Sequence, residues 1–329
     1  MLKIGVLGTG HLGKIHIKCI QMATEAYELV GFYDPDPTTA QKVAEEFKIP
    51  AFDSAEALMD AVEVVDIVTP TTVHFAMAME AIQRGKHLFI EKPLTQTVAE
   101  AEELIARSRE KGVKVQVGHV ERFNPALLAL GDIQLNPMFV EAHRLAVFNP
   151  RGTDVSVILD LMIHDLDIVL SMVNSEVKAV YASGVAVVSQ SPDIVNARIE
   201  FENGCVANLT ASRISLKQMR KVRLFQKDAY ISMDFLDKKA QVIRLFEEGI
   251  APNQEELLKL ETNLGNKYIH IDMPEIEPVN SIKMELETFA SSIETGQRPR
   301  VSIEDGYQAL KLAHRIAEEV ERRSENLLV

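Results

Sequence analysis

The sequence predicts an α/β chain of two domains: a parallel sheet wrapped by helices, then an α+β domain on a mainly antiparallel sheet. Three observations carry this. Residues 1–118 alternate short apolar runs with amphipathic stretches of helical spacing, the signature of βαβ units. From about residue 177, strand-like runs follow one another with turn residues between them. The chain has 329 residues, enough for about two domains with sizeable cores.

In order, KIGVLG (3–8), YELVGFYD (27–34), VVDIVTP (64–70), HLFIEKP (87–93) and KVQVGH (114–119) read as five strands. LGKIHIKCIQMA (12–23), PTTAQKVAEEF (37–47), VHFAMAMEAIQRG (73–85) and TVAEAEELIARSREKG (97–112) read as the helices between them. Pro37 suits a first helical turn, and the last two helices end at glycines. The boundary falls near 119–123, giving domains 1–120 and 121–329. Beyond it, NPALLAL and LDLMIHDLDIVLSM look helical. VKAVYASGVAVVS, IVNARIEF, CVANLTASRI, KVRLFQ, YISMDF and AQVIRLF read as strands. Asn203-Gly204 marks a hairpin turn among them. The polar stretch 247–267 reads as a loop with a short helix, and helices near 280–296 and 303–323 close the chain.

Composition narrows the function. A net charge of −13 argues against a nucleic-acid binder, which needs a basic surface. No window holds the ~20 apolar residues of a membrane span. MLKIGVLGTG carries one charge, Lys3, and runs into a glycine loop without the features of a signal peptide, so a cytoplasmic location is expected. Cys19 and Cys205 are the two cysteines and have no metal-type spacing; neither a disulfide framework nor a metal site is expected.

Gly8-Thr9-Gly10-His11-Leu12-Gly13 matches G-x-G-x-x-G between a strand and a helix, and Asp34 ends the next strand. In that context the motif is a dinucleotide-binding fingerprint. Its glycines let the backbone approach a pyrophosphate at a helix N-terminus. Asp34 would accept from the ribose hydroxyls and repel a 2′-phosphate, favouring NAD over NADP. The bland alternative is a structural glycine turn with an exposed Asp34. Thr69, Pro70, Thr71 and His74 follow the third strand at the ligand edge of such a sheet; Pro70 could pack against the dinucleotide. A helix cap made by Thr71 or Thr72 explains the same stretch equally well.

Glu91-Lys92-Pro93 ends the fourth strand at the same edge. Pro93 holds Lys92 extended and could be cis; a surface turn is the alternative. ILDLMIHDLDIV (158–169) is aliphatic except for Asp160, His164, Asp165 and Asp167. On an α-helix over 160–171, at about 100° per residue, Asp160, His164, Asp167 and Ser171 share one face. A helix apolar on its other sides is buried, so this stripe needs partners or a cavity. Asp160 could orient His164, whose imidazole suits proton transfer near neutral pH. A buried structural pair is the competing reading, and Asp165, pointing elsewhere, reads as structural. Arg213, Lys217, Arg220, Lys221 and Arg223 crowd an otherwise acidic chain and could meet a diphosphate. A solvated hairpin face or an oligomer contact would look the same. Arg122 and Asn124, at the domain junction, are further substrate candidates.

Together, GTGHLG, Asp34, TPTTVH, EKP and the D-x-x-x-H-D of Asp160, His164 and Asp165 resemble, in order, the Gfo/Idh/MocA family of NAD(P)-dependent oxidoreductases. The resemblance covers essentially the whole chain. It implies an N-terminal Rossmann domain and a C-terminal α+β domain on a large, mainly antiparallel open sheet. That second domain would supply the substrate pocket and the contacts of a homodimer or homotetramer. It also implies catalytic roles for Lys92, Asp160 and His164 beside the nicotinamide. Two departures stand out: Thr71 replaces the frequent Asn after Thr-Pro, and VSVIL replaces the glycines common before D-x-x-x-H. QVGHVERFNPA (116–126) with LDLMIHDLDIV is most similar to UDP-N-acetylglucosamine 3-dehydrogenases, implying a nucleotide-sugar substrate oxidised to a ketone. A free-sugar or cyclitol dehydrogenase, or another small-molecule reductase, is the nearest rival. A cofactor-binding regulator without turnover is the rival of a different class, and the joint presence of Lys92, Asp160 and His164 speaks against it.

Overall fold

The computed structural model describes residues 1–149, 155–247, 257–263 and 265–327. Two compact units emerge: Met1–Phe123 with Asn280–Lys311, and Asn124–Val279 with Leu312–Val329.

The first unit is built on β1 (Leu2–Leu7), β2 (Tyr27–Tyr33), β3 (Val64–Ile67), β4 (His87–Glu91) and β5 (Val115–Gly118). The sheet is parallel in the order β2-β1-β3-β4-β5, so the order reverses between β1 and β3, where ligands of such sheets lie beyond the carboxyl ends. The helices are α1 (His11–Met22), α2 (Pro37–Phe47), α3 (Ala55–Ala61), α4 (His74–Gln83) and α5 (Val98–Lys111). Local chemistry fixes their ends. Asp36 caps α2 through the N–H groups of Thr38 and Thr39 with Pro37 in the first turn, and Thr97 and Glu100 form a capping box on α5. Gly112, at φ +65°, stops α5 in the left-handed region. The short helix α3 has no counterpart in the sequence reading.

The linear division at residue 120 gives every later residue to the second domain. The structure differs: Asn280–Lys311 groups with the first unit. The cause is packing. Leu286 and Phe289 join Ile4, Val6, Ile17, Phe32 and Phe89 in one buried core. The Tyr27 hydroxyl donates to the Leu286 carbonyl at 2.8 Å, and the Gln116 side chain donates to the Glu285 carbonyl at 2.8 Å.

In the second unit, α6 (Pro125–Leu128) and β6 (Phe139–Leu145) precede a π-turn over Ile158–Met162 that continues into α7 (Ile163–Met172). Then come β7 (Val177–Val185), β8 (Ile194–Phe201), β9 (Val206–Ser212), β10 (Met219–Phe225), β11 (Ala229–Asp234), β12 (Lys239–Glu247), β13 (Leu258–Thr262) and β14 (Gly265–Asp272). The nine strands run β13-β14-β12-β11-β10-β6-β9-β8-β7. Neighbours are antiparallel except β6 and β9. The sequence reading passes over β6. The loop and short helix expected over 247–267 are replaced, from Leu258 on, by the β13–β14 hairpin; residues 248–256 lie outside the described residues. The turn at Asn203-Gly204 is wider than a two-residue hairpin, with only Gly204 at positive φ (+86°). Met162, Leu166, Ile168 and Val169 pack with Val140, Ala142, Leu209 and Leu224 on one sheet face.

The chain closes with α8 (Ser281–Thr295) and α9 (Ile303–Leu327). Leu312, Ala313, Ile316 and Val320 of α9 belong to the core of the second unit. Among the described residues, no helix is long and apolar enough to cross a membrane.

Candidate active site

The glycine loop leaves β1 at the reversal point and enters α1. Two of its glycines are demanded by the protein itself. Gly8 sits at φ +87°, and a Cβ there would lie 2.9 Å from the Val68 carbonyl. A Cβ on Gly13 would meet the Gly8 carbonyl at 2.1 Å. Gly10 differs: its φ is −61°, and a Cβ there would enter open space. The N-terminus of α1 has no side-chain cap, so no capping side chain takes its first N–H groups. Thr9 is buried, whereas His11 and Leu12 are exposed.

Asp34 is aimed by its neighbours. Its Oδ2 accepts from the Thr9 backbone N–H and the Thr9 hydroxyl, both at 2.8 Å. Its Oδ1 accepts from the Asp36 N–H at 3.0 Å. The carboxylate therefore braces the glycine loop from the end of β2.

Pro70 leads into a 3-10 turn, Thr71–Val73, and then α4. Neither helix carries a side-chain cap, so the capping alternative for Thr71 and Thr72 is not what the structure uses. The buried His74 ring lies 2.9 Å from the Thr69 carbonyl and 3.0 Å from the Pro93 carbonyl, tying the loops after β3 and β4 together. Burial holds this imidazole below its ordinary pKa despite those backbone bonds; a neutral ring donates from one nitrogen only. The Lys92-Pro93 bond is cis, as the sequence allowed. Lys92 is half-buried, and its N–H donates to Glu91 Oε2 at 3.1 Å.

Behind Glu91 lies a pair the sequence reading missed. His16, fully buried on α1, places Nδ1 2.9 Å from Asp66 Oδ2 and Nε2 3.2 Å from Glu91 Oε1. Burial opposes a charge on the ring, but Asp66 and Glu91 outweigh it and hold His16 well above its usual pKa. Burial raises Asp66; for Glu91 the contact with His16 wins over burial and lowers it. The available signal was Asp66 itself, a carboxylate inside the apolar run VVDIV that required a partner.

In the second unit, the helix expected over 160–171 is α-helical only from Ile163. Ile158–Met162 forms a π-turn, closed by the Ile163 N–H donating to the Ile158 carbonyl. The wider turn changes the angular step between Asp160 and His164, so the one-face geometry drawn for a regular α-helix does not apply to Asp160. Such turns interrupt helices at many functional sites. Asp160 and His164 are half-buried, Asp167 is buried and Ser171 is exposed. Asp165 does point elsewhere: with 4% of the residue exposed, it accepts from Arg144 Nε at 3.1 Å and Nη2 at 2.8 Å.

The five cations of 213–223 do not form one surface. Arg213 is buried and donates to the Val155 carbonyl, with its Nε 4.0 Å from Asp193. The Asp193 carboxylate accepts three N–H groups, from Val187, Val188 and Ser189; these bonds overcome burial and hold it far below the usual range. Lys221 faces Asp234 at 3.3 Å and Arg223 faces Glu141 at 2.6 Å, both acids of this same chain. Lys217 and Arg220 lie exposed. The Asn124 carboxamide caps α6 and donates to the Phe235 carbonyl at 3.0 Å. The Arg122 carbonyl accepts from Arg300 at 3.3 Å, and the Arg300 guanidinium lies over the Phe123 ring. Among the described residues, no group of three or more His, Cys, Asp or Glu side chains could hold a metal ion.

Comparison with known proteins follows the same division. Residues 2–119 match the model of an oxidoreductase family with an NAD-binding Rossmann fold, and residues 130–231 match the GFO/IDH/MocA C-terminal domain. UDP-N-acetylglucosamine 3-dehydrogenase of Acidithiobacillus ferrooxidans is 42% identical over 237 residues, 72% of this chain and 75% of that protein. The NAD-dependent scyllo-inositol 2-dehydrogenase of Bacillus subtilis is 31% identical over 233 residues, 65% of this chain and 68% of that protein. The solved structure of the Acidithiobacillus enzyme superposes with a TM-score of 0.87 at 34% identity, over 98% of both chains. A levoglucosan dehydrogenase in complex with NADH shares the fold, with a TM-score of 0.82 at 19% identity over 98% of this chain and 97% of that one. The chain belongs to the Gfo/Idh/MocA family of NAD-binding oxidoreductases.

Proposed function

We propose that this dehydrogenase oxidises the 3-hydroxyl of a UDP-N-acetylhexosamine to a ketone. The observation that carries the substrate class is the 42% identity to a UDP-N-acetylglucosamine 3-dehydrogenase. The residues present fit NAD. Gly10 leaves open the space a Cβ would fill, and the uncapped start of α1 offers N–H donors to a pyrophosphate. Gly8, Thr9, Gly10, His11, Leu12 and Gly13 would hold the diphosphate. Asp34 would take the adenosine ribose and disfavour NADP. Thr69, Pro70, Thr71, His74, Glu91 and Lys92 would form the wall beyond β3 and β4.

NAD, when bound, supplies the hydride acceptor. Lys92 would donate a hydrogen bond to the carbinol oxygen and steady its developing negative charge. His164 would take the hydroxyl proton, with Asp160 holding its orientation. Arg122, Asn124, Arg213 and Lys217 remain the substrate-side candidates. Lys217 suits a direct phosphate contact, because its ammonium is exposed; Arg213 and Asn124 would act by shaping the walls, being buried and hydrogen-bonded to backbone.

Self-association as a dimer or tetramer belongs to the same reading. Phe225, Leu245, Leu260 and Ile271 are exposed on sheet strands of the second unit, and light scattering tests it. A cytoplasmic location is part of the reading too. A cyclitol is the second substrate class, favoured by the 31% identity to scyllo-inositol 2-dehydrogenase.

The test is NADH appearance with UDP-N-acetylhexosamines, their uronic acids, free sugars and inositols. Turnover of free sugars or inositols with none of the UDP-sugars refutes the nucleotide-sugar reading. Lys92→Met and His164→Asn should each abolish turnover while NAD still raises the melting temperature. Normal turnover in either variant removes its assigned role.

A further inference from the structure

We propose that His16 is a positioning residue: clasped between Asp66 and Glu91, it fixes the backbone that presents Lys92 and ties it to the helix of the glycine loop. The proposal rests on the catalytic role assigned to Lys92.

Five observations carry it. Both ring nitrogens of His16 face a carboxylate: Nδ1 lies 2.9 Å from Asp66 Oδ2 in a hydrogen bond, and Nε2 lies 3.2 Å from Glu91 Oε1 at ion-pair distance. Its environment agrees, since the two acids hold its pKa well above the usual range. Glu91 continues the chain of contacts, its Oε2 accepting the Lys92 N–H at 3.1 Å. Gly118 at the end of β5 leaves room for that carboxylate: a Cβ there would lie 2.6 Å from Glu91 Oε1. Finally, His16 sits on the helix that opens with the glycine loop, and its ring packs edge-on against Phe89 of β4 at 5.6 Å.

The arrangement has a chemical consequence. A half-buried lysine on a loop would wander relative to its target without a fixed backbone. Here the residue before it is pinned at both carboxylate oxygens. The pin reaches α1, so movement of the glycine loop and of Lys92 would be coupled. Two carboxylates on one buried ring raise the electrostatic stake in that geometry. A misplacement of about 1 Å at a reacting group can cost about 100-fold in rate.

The experiment uses the full chain, with UDP-N-acetylglucosamine and NAD as the turnover probe. It compares wild type with His16→Asn, Gly118→Ala and the double variant. Gly118→Ala keeps every polar group and only displaces the Glu91 carboxylate, so it remains informative if His16→Asn folds poorly. Each single variant should lose about 100-fold in kcat, with the KM for NAD within twofold. The double variant should be no slower than the slower single one, since both break the same linkage. Hydrogen exchange without substrate should show the Lys92 amide exchanging faster in both variants, with the amides of β2, at the far edge of the sheet, unchanged. The proposal is overturned if both variants turn over within twofold of wild type while Lys92→Met is inactive. Losses that multiply in the double variant, or exchange that rises uniformly across the first unit, also overturn it. If Lys92→Met turns over normally, the catalytic reading itself has failed. If wild type ignores UDP-N-acetylglucosamine, the substrate reading has failed, and the exchange of the Lys92 amide decides the linkage alone.

Discussion

Replacing Arg144 with Met should destabilise the second unit more than any surface change can. The side chains of Arg144 and Asp165 are 4% and 5% exposed. Their contact is two-pronged, with Nε and Nη2 both donating to the carboxylate. Removing the cation from such a buried pair typically costs about 3–5 kcal/mol, because a carboxylate stays in a low-dielectric site. For a unit of this size each kcal/mol moves the melting temperature by about 2–4 °C, so a fall of about 6–20 °C is expected. The double variant Arg144→Met/Asp165→Leu removes both charges and should recover most of that loss, since desolvation offsets much of a buried pair's attraction. The assay is differential scanning calorimetry of wild type, the two single variants and the double variant, read as a cycle. A single-variant fall below about 2 °C would show that water or another cation reaches Asp165. A double variant as unstable as the sum of the singles would mean that packing, not charge pairing, is what Arg144 supplies. Because His164 precedes Asp165, turnover of Arg144→Met should fall even at temperatures where it is folded.

Three further outcomes follow from named contacts. Asp34→Ser should relax the preference for NAD, narrowing the ratio of kcat/KM between NAD and NADP; a wild type that already prefers NADP would contradict the role of Asp34. Gly13→Ala should abolish NAD binding, read by thermal shift with and without cofactor, because its Cβ would lie 2.1 Å from a backbone carbonyl that cannot yield; retained binding would show that the loop shifts freely. The stability gap between wild type and His16→Asn should depend on pH with a defined sign. His16 is raised above its unfolded value of about 6.5, with Asp66, Glu91 and, through Glu91, Lys92 around it. Its contribution is complete below that value and fades as pH rises through the folded pKa. Melting curves from pH 6 upward should show the gap shrinking; a gap that widens would mean the ring is neutral in the folded protein.

Most of the first unit was legible because its signals are local. Each strand is a short apolar run closed by glycine, proline or a carboxylate, and each helix has a period of its own. What could not be read there was membership. Helix α8 looks like any amphipathic helix, and nothing in its own residues says that Leu286 and Phe289 fill a core begun at Ile4. The acid-rich 247–267 misled for a related reason. The described strands β13 and β14 are half-exposed or exposed throughout, so their residues show no buried face for alternation to reveal. The glycine loop and Asp34 were legible because backbone geometry constrains residue type at each place. The π-turn at Ile158–Met162 was not, since no residue type marks a turn that widens by one residue.

The missed strand β6 and the odd charges of the following helix explain each other. Along Phe139–Leu145 the buried positions are Val140, Ala142 and Arg144, a strict alternation that an arginine disguises as a surface pattern. Along ILDLMIHDLDIV, Asp165 disrupts an aliphatic segment in the same way. Read singly, each charge argues against burial. Read as a pair, each predicts the other, because a core that buries one must bury its counterion. The same logic recovers His16, Asp66 and Glu91, three ionisable groups spread over seventy-five residues of chain that meet in one core. A charge in an apolar run is thus evidence of a partner at unknown distance in sequence. It locates a strut before it locates a catalyst, and here each strut adjoins in sequence a residue proposed for catalysis: Glu91 precedes Lys92, and Asp165 follows His164.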